Sequence, residues 1–87
     1  MTTSIYKFKL PVKPGLFELD LQYDYQVVKV MLQNGEPHMW IQSDFDSVDT
    51  NPQSFELVFT GDTVDDLASH IGSYIYNDQV FHLYELW

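Results

Sequence analysis

One dipeptide constrains this chain more than any other feature. Asn34-Gly35 lies between two runs of strand-forming residues, Val27-Val28-Lys29-Val30-Met31-Leu32-Gln33 and Glu36-Pro37-His38-Met39-Trp40-Ile41-Gln42. A type I′ turn needs φ > 0 at both central positions, which Asn tolerates and Gly adopts without steric cost. The pair predicts a β-hairpin with a two-residue loop, and such a loop sets the register. Gln33 then faces Glu36, Leu32 faces Pro37, Val30 faces Met39 and Val28 faces Ile41. The last three pairs make one apolar face. The other face carries Lys29 opposite Trp40, Met31 opposite His38 and Val27 opposite Gln42. Trp40 has two readings: exposed beneath the Lys29 ammonium, or covered by a second sheet or helix. Pro37 lacks an N–H, which predicts that the strand over 36–43 is unpaired on its outer side near that residue.

The rest of the chain repeats the strand pattern. Residues 1–3 read as a frayed end. Tyr6, Phe8 and Leu10 alternate with Lys7 and Lys9, a half-buried strand whose lysines guard an edge. Pro11-Val12-Lys13-Pro14-Gly15 is a turn, and Phe17, Leu19 and Leu21 alternate with Glu18, Asp20 and Gln22 beyond it. The two segments resemble a further hairpin with a five-residue loop. Residues 44–53, acidic and closed by Asn-Pro, read as a loop. Phe55, Leu57 and Phe59 mark another inward-facing strand. Thr63, Asp65, Asp66 and His70, with Val64, Leu67, Ala68 and Ile71 at helical spacing, predict one short helix over 63–71 stopped by Gly72. Two turns are unstable alone, so this helix has to dock on a sheet. Asn77-Asp78 predicts a last two-residue hairpin, with Ile75 opposite Val80 and Tyr74 opposite Phe81. Its strands are apolar on both faces, as in a central strand or an interface strand.

These elements predict a mainly β, β-rich α+β fold: a small antiparallel sandwich or open barrel of about seven strands with one short helix. With 87 residues the chain makes a single domain over 4–87. It has no cysteine, hence no disulfide framework and no thiolate metal site. No basic leader precedes an apolar run, and the apolar runs are too short to span a membrane. A soluble intracellular protein with no membrane partner is expected.

Charge is distributed unevenly. All four basic residues, Lys7, Lys9, Lys13 and Lys29, lie in the first 29 positions beside three acids. After them come Glu36, Asp44, Asp46, Asp49, Glu56, Asp62, Asp65, Asp66, Asp78 and Glu85 with no base at all. A net charge of −9 argues against direct binding to nucleic acid by phosphate neutralisation. It favours either plain solubility or a partner with a basic surface.

Chemistry-bearing motifs are few. Asp44, Asp46 and Asp49 suit a hard cation by type, but Asp49 stands where a calcium loop needs glycine and no glutamate follows Asp44 at the required distance. His38, His70 and His82 show no ligand spacing and read as ordinary polar residues. No metal site and no cofactor are expected. There is no nucleophile elbow, phosphate-cradling loop or metalloprotease helix, so no catalytic residue is expected. Binding is the class left. Its candidates are Asp44, Asp46, Asp49, Asp62, Asp65 and Asp66, with Trp40 as an apolar anchor. Tyr84, Leu86 and Trp87 add either a homodimer contact through the C-terminal hairpin or further core.

Several stretches taken together carry a resemblance: Ile5-Tyr6-Lys7-Phe8-Lys9-Leu10, Gln33-Asn34-Gly35-Glu36-Pro37-His38-Met39-Trp40, Phe59-Thr60-Gly61, His70-Ile71-Gly72-Ser73 and Val80-Phe81-His82-Leu83-Tyr84-Glu85. The chain resembles an uncharacterised family of small domains found in tailed-phage and prophage genomes, over nearly its whole length. It departs from that pattern at His70, where tyrosine is expected. The resemblance implies a viral origin, a place in the host cytoplasm and a role in binding host factors; it brings no catalytic residue. The expectation is a phage-encoded acidic binding protein, without enzymatic activity, that occupies a basic surface of a host protein by imitating nucleic-acid charge. The alternative is a small virion or scaffold component acting by self-association.

Overall fold

The computed structural model describes residues 2–86; the fraying expected of Met1 and the placement of Trp87 lie outside them. Seven strands follow one another: β1 (Ser4–Lys9), β2 (Gly15–Gln22), β3 (Gln26–Gln33), β4 (Glu36–Ser43), β5 (Thr50–Phe59), β6 (Ser69–Tyr76) and β7 (Gln79–Glu85). They form two antiparallel sheets, β1-β4-β3 and β2-β5-β7-β6. The mainly β class and the strand number agree with the sequence pattern. One core lies between the sheets: Leu10, Met39 and Ile41 from the first side meet Leu21, Phe55, Leu57, Tyr74, Phe81 and Leu83 from the second.

Both two-residue hairpins form. Asn34 and Gly35 adopt φ of 53° and 77°, and Asn77 and Asp78 adopt 51° and 62°. Ile75 faces Val80 and Tyr74 faces Phe81. In the β3–β4 hairpin the expected register holds from Gln33–Glu36 to Lys29–Trp40. Beyond that a bulge between Val27 and Lys29 places Val27, not Val28, opposite Ile41. Val27 joins the core and Val28 is left 46% exposed. A single extra residue reverses the alternation, which a strict period of two cannot express.

Four expectations are overturned. The helix over 63–71 does not form. Asp65 accepts the Leu67 amide at 2.8 Å through its side chain and the Ala68 amide at 3.0 Å through its carbonyl, closing one isolated turn. From Ser69 on, the backbone pairs with β7 instead. A two-turn helix has too few hydrogen bonds to repay its nucleation, whereas the strand that begins at Ser69 satisfies its backbone groups along a ladder. The supposed β1–β2 hairpin is likewise absent, because β1 pairs with β4 and β2 with β5. Two prolines with fixed φ suit a crossing between sheets better than a tight hairpin turn. The outer side of β4 is not open near Pro37: the Leu10 amide donates to the Pro37 carbonyl at 3.0 Å, so proline still offers its acceptor. Lastly, residues 50–53 belong to β5 rather than to a loop. Among the described residues β2 is the strand paired with β5 there, with Pro52 opposite Asp20, so a missing donor is tolerated.

Candidate functional site

The first sheet turns a basic, aromatic face to solvent. Register places Trp40 between Lys7 on β1 and Lys29 on β3, and His38 between Lys9 and Met31. Residues directly opposite one another share a face, so three of the four lysines surround Trp40 there. Lys7 Nζ reaches across β4 to donate to Gln33 Oε1 at 2.7 Å, and Lys9 Nζ lies 3.3 Å from Glu36 Oε1. His38 is buried and lies 6.0 Å, ring to ring, from Trp40; its Nδ1 is 2.9 Å from the Glu36 carbonyl. Trp40 is half-buried on this outward face, and among the described residues no second sheet or helix covers it.

None of the six aspartates singled out above lies on that face. Asp44, Asp46 and Asp49 sit in the β4–β5 connection. The Asp46 amide donates to Asp44 Oδ1 at 3.2 Å, and Gln22 Nε2 donates to the Ser47 carbonyl at 3.2 Å, tying the loop to β2. Asp44 and Asp49 share an open depression of about 200 Å³ with Gln22, Tyr23, Asp24 and Ser47; Asp24 itself accepts a 2.7 Å bond from Ser43 Oγ. Asp62, Asp65 and Asp66 sit in the β5–β6 connection, where Asp62 Oδ2 accepts the Phe59 amide at 2.9 Å. The two groups lie at opposite ends of the ten-residue β5, roughly 30 Å apart for a strand rising about 3.3 Å per residue. The aspartates are thus two separate poles, and Trp40 belongs to neither. Among the described residues no three His, Asp or Glu side chains converge on one point.

The outer face of the second sheet holds an arrangement that the sequence reading missed. His70 Nε2 lies 3.0 Å from Ser73 Oγ, His82 Nδ1 lies 2.8 Å from the same oxygen, and His82 Nε2 lies 2.8 Å from Thr60 Oγ1. The Tyr84 ring meets His70 edge to face at 5.3 Å. A bulge between His70 and Gly72 lets residues three apart, His70 and Ser73, face the same way. The hairpin register alone puts Ser73 beside His82. Assigning His70 to a helix concealed the other half. Elsewhere, burial raises the Glu85 carboxyl above its ordinary range, beside a 330 Å³ depression lined also by Tyr25, Gln26, Val27, Val28 and Ile71.

No curated protein and no solved structure matches this sequence. One family model does, across residues 1–87, and the chain therefore belongs to the family described as a domain of unknown function, DUF7352.

Proposed function

We propose that this protein is a non-enzymatic binding module whose acidic surface occupies a basic surface on another protein. The observation that supports it is segregation of charge in three dimensions. Three lysines share the outer face of the β1-β4-β3 sheet, while the aspartates collect in the connections at both ends of β5. A partner approaching either end meets a group of three aspartates, and their field steers a cationic surface toward them. The setting we propose is a phage-infected cell, with a host nucleic-acid-binding or defence complex as the target and imitation of phosphate charge as the means. Capture from host lysate at low and high salt tests this, using the parent protein and the variants D44N/D46N/D49N and D62N/D65N/D66N. The expected result is a captured protein that is released by salt, is competed off by DNA, and is lost from one of the two variants. Salt-insensitive capture, or equal capture by both variants, would count against the reading.

A second reading is self-association as a virion or scaffold component. It is favoured by Ile75 and Val80, paired on the outward face of the C-terminal hairpin and 62% and 38% exposed. Sedimentation over a wide concentration range separates the two: a strict monomer removes self-association.

A further inference from the structure

We infer that His70 and His82 form a binding site for a divalent transition-metal ion of the nitrogen-preferring kind, such as Zn²⁺ or Cu²⁺, with Ser73 as an auxiliary ligand. Two imidazole nitrogens on adjacent strands point at one atom. His70 Nε2 and His82 Nδ1 stand 3.0 and 2.8 Å from Ser73 Oγ. An ion taking both nitrogens at about 2.0–2.1 Å would sit close to that oxygen. The approach needs only side-chain rotation, since His70 and Ser73 are exposed and His82 is half-buried.

The surroundings supply what such ligands need. A metal-bound imidazole has its second nitrogen held by a hydrogen-bond partner, which selects the tautomer. Thr60 Oγ1 does this for His82: with the proton on Nε2 donated to the threonine oxygen, Nδ1 presents its lone pair toward Ser73. His70 reaches the matching state by carrying its proton on Nδ1, and the Tyr84 ring meets it edge to face. Both histidines bind a metal as neutral imidazoles. Water completes the coordination of the ion. The local charge favours a cation, because Glu56 stands opposite Tyr84 in the same row as His70, in a chain of net charge −9. Two imidazoles with hydroxyl and water suit zinc, copper or nickel rather than calcium or magnesium, which prefer carboxylate and carbonyl oxygen.

Titration of the full chain with ZnCl₂ by calorimetry, and with CuSO₄ followed by electron paramagnetic resonance, tests the inference. One ion per chain is expected, and the copper spectrum should show superhyperfine coupling to two imidazole nitrogens. H70A and H82A should each weaken binding at least about tenfold, the scale set by loss of even an outer partner, while H38A leaves it unchanged. No saturable binding, a copper spectrum with oxygen ligands only, or equal affinity in the H70A/H82A double variant would overturn it. The copper spectrum reads ligand identity in the unmutated protein, so it decides the matter even if a variant folds poorly.

Discussion

Tyr74 and Gly72 show how much rests on single positions. The Tyr74 hydroxyl is buried with no hydrogen-bond partner among the described residues, and burial pushes the phenol up to about 12. Its ring stacks on Phe81 at 5.3 Å, so the ring packs well while the oxygen does not. Tyr74→Phe keeps the packing and removes the stranded group. It should stabilise the fold by about 1 kcal/mol at pH 7, read by urea unfolding. The alkaline limb follows from linkage. The folded state keeps the Tyr74 proton where the unfolded chain, titrating near 10, has lost it. Stability therefore falls as pH rises from about 10 to about 12, and Tyr74→Phe should flatten that fall. At Gly72 an added Cβ would meet Val30 Cβ at 3.2 Å, across the line where β6 approaches β3. Gly72→Ala should cost about 1–3 kcal/mol, and a double-mutant cycle with Val30→Ala should show the two changes to be less than additive.

Elements were legible where geometry is local. Asn-Gly and Asn-Asp state their φ requirements within two residues, and both hairpins formed in the expected register near their turns. Gly35→Ala should cost about 1 kcal/mol or more in chemical denaturation, since alanine resists the φ of 77° held there. Elements were illegible where a partner far along the chain decided the outcome. The segment over 63–71 carries every local helix signal, yet β7 draws its end into a strand, with Ser69 opposite Glu85 and His70 opposite Tyr84. The bulges at Val28 and Ile71 were hidden for the same reason. Each lets a strand follow the packing of the opposing sheet rather than its own alternation. The second one also brought His70, Ser73 and His82 together. The aspartates were visible as a charge run, but their division into two poles depends on the length of β5 and on which strands flank it.

For the molecule as a whole, charge is the least balanced term. Only one ion pair, Lys9–Glu36, closes within 4 Å among the described residues, and both partners are more than half exposed. Such a pair contributes about 0–1 kcal/mol, too little to offset the mutual repulsion of a chain at −9. Raising salt from about 10 mM to about 150 mM shortens the Debye length from about 30 Å to about 8 Å, and the melting temperature should rise with it. Glu85 adds a pH dependence of defined sign. Its carboxyl titrates higher in the fold than in the unfolded chain, so the fold holds the proton more tightly. That contribution is fully present below the ordinary carboxyl value of 4.5 and is lost as pH rises through the folded value. Glu85→Gln should therefore unfold at a higher temperature than the parent at pH 7 and at an equal one near pH 4.

By itself the amino-acid order determined the class of fold, both tight turns, the inward residues of the alternating strands and the excess of acid. Each of these is carried by neighbours one to four positions apart. Only tertiary structure decided which strands share a sheet, that the segment over 63–71 runs from a connection into β6 and is not helix, that three of the four lysines share a face with none of the six aspartates, and that two histidines twelve positions apart meet at one hydroxyl. Those outcomes follow from pairing between distant segments, where every backbone donor left by one strand must find its acceptor on another.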